Sequence, residues 1–496
     1  MNTPRPPEQG SSLRRMALLF GSQEVLTRVT AVLLSLFAAR TLGPGEVGRL
    51  GLAVIVSALI SMLASYPESA AVFLDRSYGV SRPAREGSRL RGAITILLVV
   101  LVVLGIGPVA DLLGNALDPR TALLVRLMLV LPCLEAAGAE PRIRAQRALH
   151  LSYLGRIQVG GVLSYVGLSF LAVAFGFGVL GMTVAQLVAT FGTTLLLFRF
   201  VPRTTGEETA AAHTDVRAAV LRNSLRLFVG GFGGFLGARL DNILVARVMG
   251  GTGLGLYSMA WSASRLGVAV ITGAMNSILG PLLPQMGVDG AQAAAILKRG
   301  FEHFILAAGA FSSALVIWAP ALVSLVLGEK WLQAIPAMQL MAISAFCTPI
   351  VTMAGLILTT SGRAHWIFWM TVAHLASLSL LVPRLAREFG VAGGALGEVF
   401  ATLVATSVIL GLFRKQRVSV AWLDRPALAW SLAAMIPSVL GASLVNTEAS
   451  GIATLLAIAA SGNLGFVLIA SRHPPFRAIL GSVATHGGNL RRSLVG

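Results

Sequence analysis

Apolar stretches long enough to cross a bilayer follow one another along almost the whole chain, and short landmarks in the first set return about 210 residues later in the second. The run Ala39-Arg40-Thr41-Leu42-Gly43, closing on Gly48, comes back as Ala246-Arg247-Val248-Met249-Gly250, closing on Gly255. Pro108 after one apolar run has its counterpart in Pro320 after another. Phe177-Gly178-Val179-Leu180-Gly181 reappears as Phe389-Gly390-Val391-Ala392-Gly393. Three landmarks kept in order at nearly one lag point to a duplicated membrane bundle, the arrangement of transporters whose halves rock about a site at their shared interface.

With 55% hydrophobic and 12% charged residues and a mean hydropathy of +0.79, the chain carries too much apolar surface for one soluble core. A helix needs about 20 apolar residues to span a bilayer. Windows of that length place helices near 17–39, 50–72, 92–113, 121–141, 157–175 and 178–200 in the first half. They place six more near 224–248, 254–284, 302–327, 334–360, 365–383 and 391–413, and two beyond the duplication near 427–446 and 451–470. The expected fold is an all-α polytopic membrane protein of about fourteen helices, two six-helix lobes plus a C-terminal pair. The expected divisions are an N-terminal arm (1–15), an N-lobe (16–205), a linker (206–222), a C-lobe (223–415), the last helix pair (426–471) and a tail (472–496).

A net charge of +18 suggests nucleic acid until the basic residues are placed, because they crowd alternate loops. Arg14 and Arg15 precede the first span, Arg82, Arg85, Arg89 and Arg91 lie before the third, and Arg142, Arg144, Arg147 and Arg156 come two loops later. Arg203, Arg217 and Arg222, then Lys298 and Arg299, Arg363, Arg414 and Lys415, and finally Arg472, Arg477, Arg491 and Arg492 continue the alternation. By the positive-inside rule that side is cytoplasmic and both termini lie there. The charge orients the protein and calls for no nucleic acid. The polar arm with Pro4, Pro6 and Pro7 leads into a full-length span rather than a cleavable signal.

Several chemistries lack their residues. Gly328-Glu329-Lys330-Trp331 has neither the glycine spacing nor the hydroxyl of a phosphate-binding loop, so nucleotide hydrolysis is not expected. There is no HExxH and no paired-cysteine spacing, and Cys133 and Cys347 sit in apolar runs as small packing residues. No enzyme activity, cofactor or metal is expected.

What remains is charge inside the spans, which costs roughly 2.5–3.5 kcal/mol per residue when it faces lipid at the helix centre. Glu24 and Arg28 are four apart on the first helix, either as a self-neutralising pair or with Arg28 lining an aqueous cavity. Arg239 and Asp241 on the seventh are two apart, point to different faces, and need other partners. With Arg265 on the eighth helix they are candidates to line a cavity, structural pairing being the other reading. Arg126 on the fourth helix is close enough to an end to snorkel. Glu135 shares that helix, and Glu302 and His303 mark a boundary. His374 reads as a hydrogen-bonded structural histidine and Glu398 as a possible proton site. Gly230, Gly231, Gly233 and Gly234 precede Arg239, either for close packing or as a hinge. Pro132 and Pro349 interrupt corresponding helices of the two halves, as inert kinks or as markers of the transport path.

Ala39 through Gly48 resembles the end of the first helix in bacterial polysaccharide flippases of the Wzx type. Leu240 through Gly250, with Leu254-Gly255-Leu256-Tyr257-Ser258-Met259-Ala260, is similar to their seventh and eighth helices. Leu327 through Trp331 and Thr360-Ser361-Gly362-Arg363 are similar to the region that follows. The family belongs with multidrug and toxin extruders and lipid II flippases in the MOP superfamily. The resemblance implies a V-shaped pair of six-helix lobes, alternating access, and a substrate of sugar repeats on undecaprenyl pyrophosphate for exopolysaccharide or O-antigen. It also implies an ion gradient of H+ or Na+, the bacterial inner membrane, and polymerase or export partners. Relatives in the lipid II branch use arginines of helices one and eight, which suggests Arg28 and Arg265 here. A pyrophosphate headgroup crossing hydrocarbon needs a cationic wet passage, and arginine offers it a bidentate match. Arg28, Arg239 and Arg265 are therefore expected to capture the headgroup, with Glu24 and Asp241 tuning them or carrying the ion. The alternatives are a cation-coupled drug exporter, a lipid II flippase, and a non-transporting scaffold of polysaccharide assembly.

Overall fold

The computed structural model describes residues 30, 33–75, 78–105, 118–148, 151–201, 216–286, 291–415, 422–443 and 463. Every regular element among them is helical. In chain order these are α1 (Leu33–Leu42), α2 (Pro44–Phe73), α3 (Ser81–Leu104), α4 (Pro119–Met128), α5 (Val130–Ala137), α6 (Ala139–Arg147), α7 (Leu151–Ala174) and α8 (Gly178–Phe200). They continue with α9 (Val216–Met286), α10 (Ala291–Leu322), α11 (Ile335–Thr360), α12 (His365–Lys415) and α13 (Arg425–Ser443). Among the described residues eight helices are long and apolar enough to cross a membrane, or nine if the bent pair of Pro119–Ala137 and Ala139–Arg147 is one span, which makes this a multi-pass membrane protein. The chain divides into two compact units, one of Met1–Phe235 with Gly250–Thr252 and one of Leu236–Met249 with Gly253–Gly496. The expected first-helix residues 17–29 and the segment 451–462 lie outside the described residues.

Two of the duplicated landmarks are backbone breaks. Gly43 has φ 82 and ψ 171 where it caps α2, and Gly250 has φ 70 and ψ −167 inside α9. Both lie in a region that only glycine occupies without strain, so each half needs the same residue at the same turn. The apolar part of α9, Gly231–Gly280, is 50 residues long and would measure roughly 75 Å as one helix. That exceeds twice the thickness of about 30 Å for the hydrocarbon core, and the break at Gly250 makes it two spans. Gly390, at φ 62, divides α12 in the same way, and Gly178 in the matching position of the first half has φ 57.

Prolines explain the other interruptions. Pro132 cannot donate to the carbonyl one turn back at Met128 and its ring crowds that position, and the helix breaks there, between α4 and α5. A further bend of 41° separates α6 from this pair. The fourth predicted helix is therefore three segments. Pro349, its counterpart, lies within an unbroken α11. Pro320 in α10 leaves the carbonyl of Val316 without its helical donor, and the Gln339 side chain of α11 donates to it at 3.0 Å. A freed backbone group inside a membrane needs such a partner.

The third helix starts at Ser81, about ten residues before the apolar window. Hydropathy ends where Arg82, Arg85, Arg89 and Arg91 begin, but arginine, glutamate and leucine are good helix formers and the helix runs on through them. These arginines, read above as loop residues, are helical.

In the first unit, α2 packs on α3 and α4, and α7 on α8. Leu124, Val125 and Met128 meet Ala53 and Val179 in one of its apolar clusters. In the second, α10, α11 and α13 enclose Phe301, Met353 and Phe413 beside Trp422.

Candidate functional site

Buried charge concentrates at two places, one in each unit. In the second unit two guanidiniums approach the indole of Trp261 on α9. Arg239 is 5.5 Å from its ring centroid and Arg265 5.4 Å. A cation over an aromatic face is held by the ring quadrupole, and the contact leaves its N–H donors available. Arg265 Nη2 also reaches Glu398 Oε1 on α12 at 3.2 Å, while its side chain keeps 34% exposure. Arg239 has no carboxylate partner among the described residues. Its helical neighbour Asp241 is spent elsewhere: Tyr257 donates to one carboxylate oxygen at 2.8 Å and Asn242 to the other at 3.0 Å. Asp241 is 1% exposed, so these neutral donors replace the water it has lost.

Glu398 is 2% exposed and gathers side chains from three helices. Thr402 donates to its Oε1 at 3.3 Å and exchanges a hydrogen bond with Ser344 of α11 at 3.1 Å. Its Oε2 faces His374 Nε2 at 3.6 Å, an ion-pair separation too long for a hydrogen bond. Both atoms are buried without a hydrogen-bond partner among the described residues. His374, read from the sequence as a lone structural histidine, thus stands against the carboxylate that holds Arg265.

In the first unit four charges close on one another. Arg91 pairs with Glu68 and, at 3.1 Å, with Glu135. Arg142 donates to both oxygens of Glu68 at 3.1 and 3.3 Å. Arg91 and Arg142 stood in the sequence as topology-setting loop charges, and Glu68 carried no signal at all. The pairs link residues 44 and 74 positions apart, so no local pattern reports them. Arg147 donates to the carbonyls of Ala71 and Leu74 at 2.8 Å and caps the end of α2.

The remaining candidates separate. Arg126 is exposed on α4. Glu24 and Arg28 lie outside the described residues. Gly230, Gly231, Gly233 and Gly234 are helical within α9. At Gly231 a Cβ would sit 2.5 Å from the Tyr66 hydroxyl, so close packing accounts for that glycine, whereas Gly234 has open space. Among the described residues no group of three His, Cys, Asp or Glu side chains is placed to hold a metal.

Residues 37–336 match the model of a family described as "Polysaccharide biosynthesis protein". The chain is 24% identical over 406 residues to the teichuronic acid biosynthesis protein TuaB of Bacillus subtilis (strain 168), across 77% of this chain and 78% of TuaB. It is 22% identical over 347 residues to the lipopolysaccharide biosynthesis protein WzxC of Escherichia coli (strain K12), across 66% of this chain and 69% of WzxC. Among solved structures, the lipid II flippase MurJ in an inward closed conformation superposes with a TM-score of 0.70 at 11% identity, covering 93% of this chain and all of MurJ.

Proposed function

Because the chain belongs to the polysaccharide biosynthesis protein family, we propose that it is a flippase. It carries oligosaccharide repeat units linked to undecaprenyl pyrophosphate from the inner to the outer leaflet of the bacterial inner membrane by alternating access. The names of TuaB and WzxC support a saccharide substrate. The observation that carries the reading is the pair of guanidiniums on Trp261. Arg239 and Arg265 stand on the two spans of α9 and meet at one indole by a contact that neutralises neither, so the donors of Arg239 and those of Arg265 not given to Glu398 serve a pyrophosphate.

Glu398 takes the second role. Bound to Arg265 and facing His374, it is the carboxylate whose occupancy by H+ or Na+ would alter Arg265, and ion binding there releases or holds the headgroup. Asp241 sets the position of Tyr257 and so of α9. Gly230, Gly233 and Gly234 precede the boundary between the units at Phe235 and supply the flexure, while Gly231 packs on Tyr66. The crowding of arginine in alternate loops supports cytoplasmic termini.

The test is transfer of a labelled undecaprenyl-pyrophosphate oligosaccharide across liposomes that hold the purified protein. Transfer lost in Arg265→Gln and Arg239→Gln, at unchanged folded protein, is the expected result. Full transfer by both variants would sink the arginine assignment. No transfer by wild type, with movement of a cationic dye instead, would make it a drug exporter. Transfer of lipid II alone would make it a peptidoglycan-precursor flippase.

A further inference from the structure

Two buried polar atoms beside Arg265 face each other without a bond. Glu398 commits Oε1 to Arg265 and Thr402. Its other oxygen, Oε2, lies 3.6 Å from Nε2 of His374, and among the described residues neither atom has a hydrogen-bond partner. The two residues stand on either side of the break at Gly390, which folds the halves of α12 back on each other. Polar atoms out of water are costly when unpaired. The gap is too wide for a bond with either tautomer of the neutral ring. One added proton gives the pair a donor that both bases want, as imidazolium to carboxylate or as carboxyl to imidazole.

The surroundings suit a proton better than a sodium ion. The charged and titratable groups around Glu398 are Arg265, Asp241 and Tyr257 of α9 and His374 of α12, joined by the hydroxyls of Ser344 on α11 and Thr402 on α12. A hard cation takes several oxygen ligands. Here a ring nitrogen stands across from Oε2, the Thr402 hydroxyl lies with the cationic Arg265 on the side of Oε1, and Asp241 is occupied by Tyr257 and Asn242. Among the described residues no group of three His, Cys, Asp or Glu side chains forms there to hold a metal. The His374 side chain keeps 17% exposure against 3% for Glu398, so the imidazole is the way in from water.

We infer that Glu398 and His374 bind one proton between them, taken from water through the imidazole, and that this proton rather than sodium governs the hold on Arg265. The inference rests on the flippase reading in taking Arg265 as a headgroup ligand. On gaining the proton the pair changes from a net negative charge to none, and its pull on Nη2 of Arg265 weakens. The guanidinium, still on Trp261 at 5.4 Å, then offers that donor to the headgroup. Protonation therefore strengthens headgroup binding, and by linkage headgroup binding draws in a proton. His374 is a positioning residue in this scheme, acting through Glu398 and Arg265.

The experiment records infrared difference spectra of the purified protein between pH 8 and pH 6, once in sodium chloride and once in choline chloride. Histidine charge changes fall in that interval. A change in the carboxylate bands is expected, equal in the two salts and lost in both Glu398→Gln and His374→Gln. Binding of the labelled undecaprenyl-pyrophosphate oligosaccharide is expected to be about fivefold tighter at pH 6 than at pH 8 in wild type and independent of pH in Glu398→Gln. A pyrophosphate esterified at both ends keeps its charge over that interval, so the dependence belongs to the protein. The salt comparison and the pH dependence of binding use wild type alone and stand if a variant fails to fold. No carboxylate change, or one that sodium suppresses, would overturn the proton site, the second result making it a sodium site. A change that His374→Gln leaves intact would remove the histidine, and binding that weakens toward pH 6 would reverse the linkage; each overturns the proposal. A probe that binds at neither pH would overturn the flippase reading instead, while the infrared change still decides whether the pair takes a proton.

Discussion

Each unit buries charge, yet the two clusters end differently. In the first, Glu68 and Glu135 are matched by Arg91 and Arg142, and every charge faces an opposite one. In the second, Trp261 rather than a carboxylate anchors Arg239 and shares Arg265 with Glu398. A set of ion pairs whose charges face one another holds helices together. A guanidinium steadied by an aromatic face keeps its donors for a ligand. The same residue type is thus structural in one unit and a binding group in the other, according to the partner.

Removing one member of the closed cluster gives the largest effect. Glu68→Ala leaves Arg91 and Arg142 with Glu135 as their remaining carboxylate and removes the partner they share. Loss of one partner of a buried pair costs about 3–5 kcal/mol, so folded protein in membranes should fall steeply, as fluorescence-detected size exclusion would show. Wild-type levels of folded Glu68→Ala would mean that the cluster does not hold the first unit together.

The second cluster should respond in transport rather than in folding. Arg265→Gln is expected to keep the fold and lose transfer by about tenfold to a hundredfold, the value of a charged hydrogen bond of about 1.5–3 kcal/mol. Arg265→Lys should recover only part, because a point charge lacks the planar fork. Wild-type transfer by Arg265→Lys would show that the fork is not used.

A smaller change is expected at Trp261. Trp261→Leu keeps apolar bulk and removes the quadrupole, a loss of roughly 0.5–2 kcal/mol, and should weaken headgroup binding a few-fold with little change in melting temperature. A melting temperature that fell as far as for Glu68→Ala would erase the distinction between the clusters.

The smallest effect belongs to the rim of the first unit. Asp118 is partly desolvated, which would raise its pKa. The bonds it accepts from Thr121 and the charge of Arg49 outweigh this and hold it below the ordinary carboxylate value. A depressed pKa stabilises the folded state above the unfolded value and the benefit fades as pH falls through the folded one. Asp118→Ala should therefore lower stability by about 1 kcal/mol at neutral pH and by less in acid, as melting curves at the two pH values would show. A loss that grew in acid would contradict the cap.

Much of the fold was legible because its causes are local. Glycines that carry positive φ recur at Gly43 and Gly250, since no other residue suits those turns, and this is why the duplication showed in the sequence. Apolar windows found most helices but misplaced the start of α3, since hydropathy marks the lipid and not the helix. Arg239, Arg265 and Glu398 stood out because charge in a span is costly wherever it sits.

The sequence by itself determined an all-helical membrane protein, its internal repeat, and a short roster of buried charges, for these follow from insertion cost and backbone freedom read along the chain. Only the tertiary structure decided which charges cancel. It bound Glu68 to Arg91 and Arg142, gave Asp241 to Tyr257, set His374 against Glu398 and brought two arginines to Trp261. Pairing depends on which helices pack side by side, and that is a property of the folded bundle rather than of any stretch of sequence.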